Sequence, residues 1–147
     1  MDLERYQIEN NVNSVYFEFI SIGNKGSIVK VIKYTKINED PLVYNLGFGD
    51  KNLTHQTIDD RAVTNNGDTD RVLATVAFTI YAFYQEYPDA NVYLSGSTAS
   101  RTRLYQININ KFHDHISRDF IIYGELEQGF ERFKKGVNYQ GFFIIKK

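Results

Sequence analysis

Cysteine and tryptophan are absent from these 147 residues, methionine occurs once and proline twice. Without cysteine there is no disulfide and no thiolate-held metal, which fits a reducing cytoplasm. No apolar run approaches the roughly 18 residues of a membrane span, so no membrane partner is expected. The opening Met1-Asp2-Leu3-Glu4-Arg5 is charged and lacks the basic-then-apolar pattern of a leader, so export by that route is not expected. A strong charge of one sign is also missing: the formal net charge is −1. A protein that coats nucleic acid through general basicity is thereby disfavoured.

The charge that is present is unevenly placed. Residues 1–100 carry 8 Lys+Arg and 13 Asp+Glu, a balance of −5, whereas residues 101–147 carry 9 and 5, a balance of +4. The basic stretch begins at Arg101, and such asymmetry suits an acidic ligand or partner for the C-terminal third, or two oppositely charged parts that face each other. Eleven Phe and eleven Tyr lie mostly in apolar-periodic segments, where they supply a core with tyrosine hydroxyls at its margin. They are not interleaved with a basic stripe, as a base-stacking platform would require.

Periodicity predicts a single α+β domain over residues 1–147, a mostly antiparallel sheet with two helices in the order βββαβαββ. Residues 15–22 and 27–37 read as a hairpin around Gly23-Asn24-Lys25-Gly26, and 42–48 as a third strand. Residues 49–67 read as a long polar loop. Val72, Val76, Ile80, Phe83, Tyr84 and Tyr87 fall at helical spacing, with Asp68 or Thr69 as cap and Pro88 as stop. Residues 91–94 read as a short strand. Tyr105, Ile109, Phe112, Ile116 and Phe120 extend a second helical face, capped by Ser97 or Thr98. Residues 120–123 and 141–145 read as closing strands.

The candidate site is the turn between that short strand and the second helix, Ser95-Gly96-Ser97-Thr98-Ala99-Ser100-Arg101-Thr102-Arg103. Gly96, Ser97, Thr98, Ser100, Arg101 and Arg103 combine free N–H groups at a helix start, hydroxyls and guanidiniums, a set suited to an anion such as phosphate. Glycine for the turn and Ser or Thr for the cap account for the same residues without a ligand. On a helix Arg101 and Arg103 stand about 200° apart, so they do not share one ligand, and Arg101 is the better candidate. Asp59, Asp60, Asn66 and Asp68 are second-loop candidates as extra contacts to the ligand, and Asp59, Asp60 or Asp68 also as acid–base groups acting with Arg101. Turn and cap chemistry explains them equally.

Other chemistries fail on spacing. Gly23-Asn24-Lys25-Gly26-Ser27 lacks the spacer of a phosphate loop. Gly96-Ser97 after a strand looks like the opening of a nucleotidyltransferase signature, but the first aspartate beyond Ser97 is Asp114, so no carboxylate pair follows to hold Mg²⁺. His55, His113 and His115 form no zinc spacing, and no Gly-x-Ser-x-Gly elbow occurs. No metal and no cofactor are expected.

Gly47-Phe48-Gly49-Asp50, Asn65-Asn66-Gly67-Asp68, Val72-Leu73-Ala74-Thr75-Val76 and, most specifically, Gly96-Ser97-Thr98-Ala99-Ser100-Arg101-Thr102-Arg103-Leu104-Tyr105 give nearly the whole chain its likeness to a family. It resembles a family of small bacterial proteins of unknown function, marked by Gly-Ser-Thr-x-x-Arg-Thr-Arg-Leu-Tyr. The resemblance implies one compact bacterial domain and assigns no catalytic residue. The expectation is a cytoplasmic module that binds a phosphorylated ligand, either a nucleotide or a nucleic-acid backbone. The alternative is a non-catalytic protein-interaction or regulatory component of a bacterial or phage defence or toxin–antitoxin type system. Whether any enzyme activity is present stays open at this point.

Overall fold

β-branched and aromatic runs build the first third as strands β1 (Asn10–Val12), β2 (Tyr16–Gly23) and β3 (Gly26–Asn38) in the computed structural model, which describes residues 4–52, 57–59, 66–96 and 98–147. The β2–β3 register pairs Phe17 with Ile32 and Phe19 with Lys30, and all four side chains are buried. Asn24 and Lys25 make the turn, and Gly26, the first residue of β3, takes a left-handed φ of 86° that glycine adopts without strain.

The later elements are β4 (Val43–Asn52), β5 (Thr57–Asp59), α1 (Thr69–Glu86), β6 (Asn91–Leu94), α2 (Ala99–Ile116), β7 (Phe120–Leu126), β8 (Gly129–Arg132) and β9 (Phe142–Lys146). The strands hydrogen-bond in the order β1-β2-β3-β4-β6-β9-β7-β8, with β5 on β4. β4 and β6 are parallel, while β1–β2, β2–β3, β4–β5, β6–β9, β7–β9 and β7–β8 are antiparallel. The α+β class and the mostly antiparallel sheet with two helices are as expected.

Two compact units divide the chain. The first holds Met1–Thr35 and Gly47–Pro88, the second Lys36–Leu46 and Asp89–Lys147. In the first, α1 lays its apolar stripe on β3: Phe83 stacks on Tyr34 at 4.4 Å between ring centroids, and the Tyr34 hydroxyl meets Thr79 Oγ1 at 2.9 Å. In the second, Ile109 of α2 joins Ile122, Phe133, Tyr139 and Phe142 in a core that Tyr105 and Ile116 flank. Each fully buried Phe or Ile there contributes about 1.5–3 kcal/mol. The Gln106 side chain binds the backbone at Val137 and Tyr139, fixing the approach to β9.

Three short strands exceed the expected order. β5 and the end of β4 replace part of the loop expected over 49–67, because polar residues at a sheet edge pair through their backbones without an apolar signature. β8 pairs the charged stretch after β7 for the same reason. Phe120 continues the three-and-four spacing of α2 but belongs to β7. The helix ends at Ile116, and the N–H of its C-cap Ser117 bonds back to the His113 carbonyl at 2.9 Å.

Candidate functional site

β6 hands the chain to α2 through Ser95 and Gly96, and Thr98 is the residue that caps the helix. Its Oγ1 accepts from the Arg101 N–H at 3.3 Å, and its carbonyl accepts from the Thr102 N–H at 3.1 Å. Thr102, which the sequence did not single out, closes the turn. Its hydroxyl donates to the Thr98 carbonyl at 3.2 Å, while its Oγ1 accepts from the Gly96 N–H at 2.9 Å. Gly96 is required by this closeness: a Cβ there would lie 2.5 Å from Thr102 N and 2.6 Å from Arg101 Cβ. Ser97 lies outside the described residues.

Capping therefore accounts for part of the motif and leaves part unexplained. The N–H groups of Ala99 and Ser100 fall in the first turn, where no preceding helical carbonyl can accept them. No acidic side chain occupies that turn. Arg101 is half-buried, and its Nη1 is withdrawn from solvent with no hydrogen-bond partner among the described residues. A buried guanidinium N–H without an acceptor is costly, by about 1–3 kcal/mol or more for a charged group, and a water, a carbonyl oxygen or an anion would each satisfy it. Arg103 is exposed on the other side of α2, so the two arginines diverge as the helical geometry requires.

The second-loop candidates belong to the first unit, and there the structure places Asn66 and Asp68 side by side. Asn66 is 1% exposed and acts as a strut: its Nδ2 donates to the Gly26 carbonyl (2.9 Å) and to Ser21 Oγ (3.1 Å), and its Oδ1 accepts from the Lys25 N–H (2.6 Å). Asp68 is the N-cap residue of α1, but its carboxylate does not cap. Instead Oδ2 accepts from the hydroxyls of Tyr6 and Ser21, both at 2.5 Å. Burial, followed by the hydrogen bond to Asp68, raises the pKa of the Tyr6 hydroxyl. An open depression of about 460 Å³ is lined by Gly67, Asp68, Thr69, Asp70 and Arg71. Asp68 and Asp70 at its rim disfavour an anion at this helix start, whereas the first turn of α2 holds no acidic residue. Asp59 sits in β5 opposite Asp50, within a strand rather than a loop, and Asp60 lies outside the described residues.

Sequence reasoning also missed Lys30. It is 2% exposed, and its Nζ binds Asp50 Oδ1 at 2.5 Å, 5.9 Å from the centroid of the Phe48 ring. The signal was a charge inside the apolar run Ile28-Val29-Lys30-Val31-Ile32, since a buried cation requires a partner elsewhere in the chain. Nearby, Lys51 pairs with Glu18 at 3.0 Å, and Tyr16 donates to the same carboxylate. Burial alone would raise the Glu18 pKa, but these two partners outweigh it and hold it below the ordinary value. Among the described residues no cluster of three or more His, Asp or Glu is placed to hold a metal ion. No helix among them is long and apolar enough to cross a membrane.

Comparison with known proteins assigns the whole chain to a family. Residues 2–147 match the family of unknown function DUF6934, and the chain belongs to it. No curated protein and no solved structure matches.

Proposed function

We propose that this DUF6934 protein binds a phosphorylated ligand at the N-terminus of α2, through the Ala99 and Ser100 N–H groups and the Arg101 guanidinium. The observation that carries this reading is the buried Nη1 of Arg101, without a partner among the described residues, beside a helix start that holds no acidic residue. Helix dipole, free N–H groups and guanidinium all favour negative charge at that point. The site also follows the C-terminal end of β6, a strand paired in parallel with β4, the kind of position where α/β folds hold anionic ligands. Gly96 belongs to the site by letting the turn close, Thr98 by presenting the N–H groups and Ser100 by its exposed hydroxyl. A nucleotide or nucleic-acid ligand accords with a cytoplasmic bacterial protein.

Calorimetric titration at low salt with ATP, and with adenosine as control, tests the proposal. The expected result is binding of ATP alone, weakening with added salt, and at least tenfold weaker in Arg101→Ala. Arg103→Ala retains affinity within about twofold, since a rim charge outside the site contributes little. Equal affinity of the native protein and Arg101→Ala for ATP, or no ATP binding at all, overturns it.

A further inference from the structure

Arg103, left unused by the anion site, belongs to a different feature. α2 buries one side, but its solvent side presents Leu104, 47% exposed, and Ile107, 51% exposed, at a spacing of three. Exposed Arg103 precedes them and exposed Lys111 follows, about 12 Å apart along the axis at 1.5 Å per residue. Asp114 lies one turn further and Arg118 just past the helix end, so the apolar pair sits in a predominantly cationic frame.

We infer that this face of α2 docks into an apolar groove with an acidic rim on a partner protein. The pattern is that of a helix-in-groove ligand, with aliphatic anchors read at helical spacing and flanking charges setting partner and register. A nucleic-acid backbone matches Arg103 and Lys111 but not the aliphatic pair between them. A second copy of this chain brings the same cationic face, with Arg103, Lys111 and Arg118 beside the single acid Asp114, and so supplies no acidic rim. In an antiparallel two-fold pairing of α2 centred on Ile107, Arg103 of each copy lies opposite Lys111 of the other, and both contacts repel. An acidic rim removes that repulsion and turns both cations into attractive contacts.

The test uses the full chain and a labelled helical peptide of leucine–glutamate heptads, with a leucine–lysine peptide as control, read by fluorescence anisotropy. The acidic peptide is expected to bind at least tenfold more tightly than the basic one. Its affinity should fall about tenfold in Leu104→Ser/Ile107→Ser and, independently, in Arg103→Glu/Lys111→Glu, since anchors and flanking charges both contribute. Both double variants alter exposed side chains, and circular dichroism checks their fold. Failure to bind the acidic peptide, equal affinity for both peptides, or unchanged affinity in both variants overturns the inference. So does a concentration-dependent dimer in sedimentation that Leu104→Ser/Ile107→Ser abolishes, which assigns the face to a second copy.

Discussion

Gly96 shows how one residue couples turn to helix. With no Cβ it lets the first turn of α2 come within contact, and its N–H is taken by Thr102 Oγ1. Gly96→Ala forces Arg101 and Thr102 apart and should cost about 1–3 kcal/mol, the range for overpacking a close contact. A urea unfolding curve measures it, and a loss within error of zero would mean that the turn yields without strain. Gly96 and Thr98 were legible in the sequence because small residues and caps act locally. Thr102 and Lys30 were not, since their partners are set by packing: Thr102 by how the turn folds back on the helix, Lys30 by the arrival of Asp50 twenty residues later.

The two helices began as similar elements in the sequence, each with a capping residue and an apolar face. Their starts differ in ways that only the folded chain reveals. Asp68 turns its carboxylate to Tyr6 and Ser21 and leaves the cap of α1 unmade, whereas Thr98 makes the cap of α2. Asn66 then holds the entry to α1 against the β2–β3 hairpin. Asn66→Ala leaves the Lys25 N–H and Gly26 carbonyl without that partner, so a loss of about 1–3 kcal/mol is expected for each such group that water does not reach. A shift of the urea midpoint with an unchanged slope checks this, and an unshifted midpoint would contradict the strut. The helices were legible because 3.6-residue periodicity survives over 18 positions. β1, β5 and β8, of three or four residues, carry too few alternating positions to be read.

Across the whole molecule four of the eleven tyrosines share one pattern, a hydroxyl donating to a carboxylate at the margin of a core. Tyr6 meets Asp68, Tyr16 meets Glu18, Tyr93 meets Glu125 and Tyr139 meets Glu131, at 2.5 to 2.7 Å. Burial first and the carboxylate second raise all four pKa values, with Tyr16 and Tyr93 pushed up to about 12. A raised folded pKa holds the proton in the native state. The resulting stability is therefore complete below the ordinary tyrosine value of about 10 and is lost as pH climbs from there towards 12. Urea midpoints measured over that window should fall steeply, and Tyr93→Phe should flatten the decline; a midpoint independent of alkaline pH would contradict these pairs. Composition disclosed the tyrosines but not their partners, because the carboxylates lie from two to 62 positions away in sequence. The central claim, that the start of α2 rather than that of α1 receives an anion, is tested most directly by amide NMR during titration with inorganic pyrophosphate. The largest shifts are expected at Ala99, Ser100 and Arg101, saturating together and disappearing in Arg101→Ala, with Thr69, Asp70 and Arg71 unmoved. Shifts centred on Gly67–Arg71, or none at Ala99–Arg101, would contradict it.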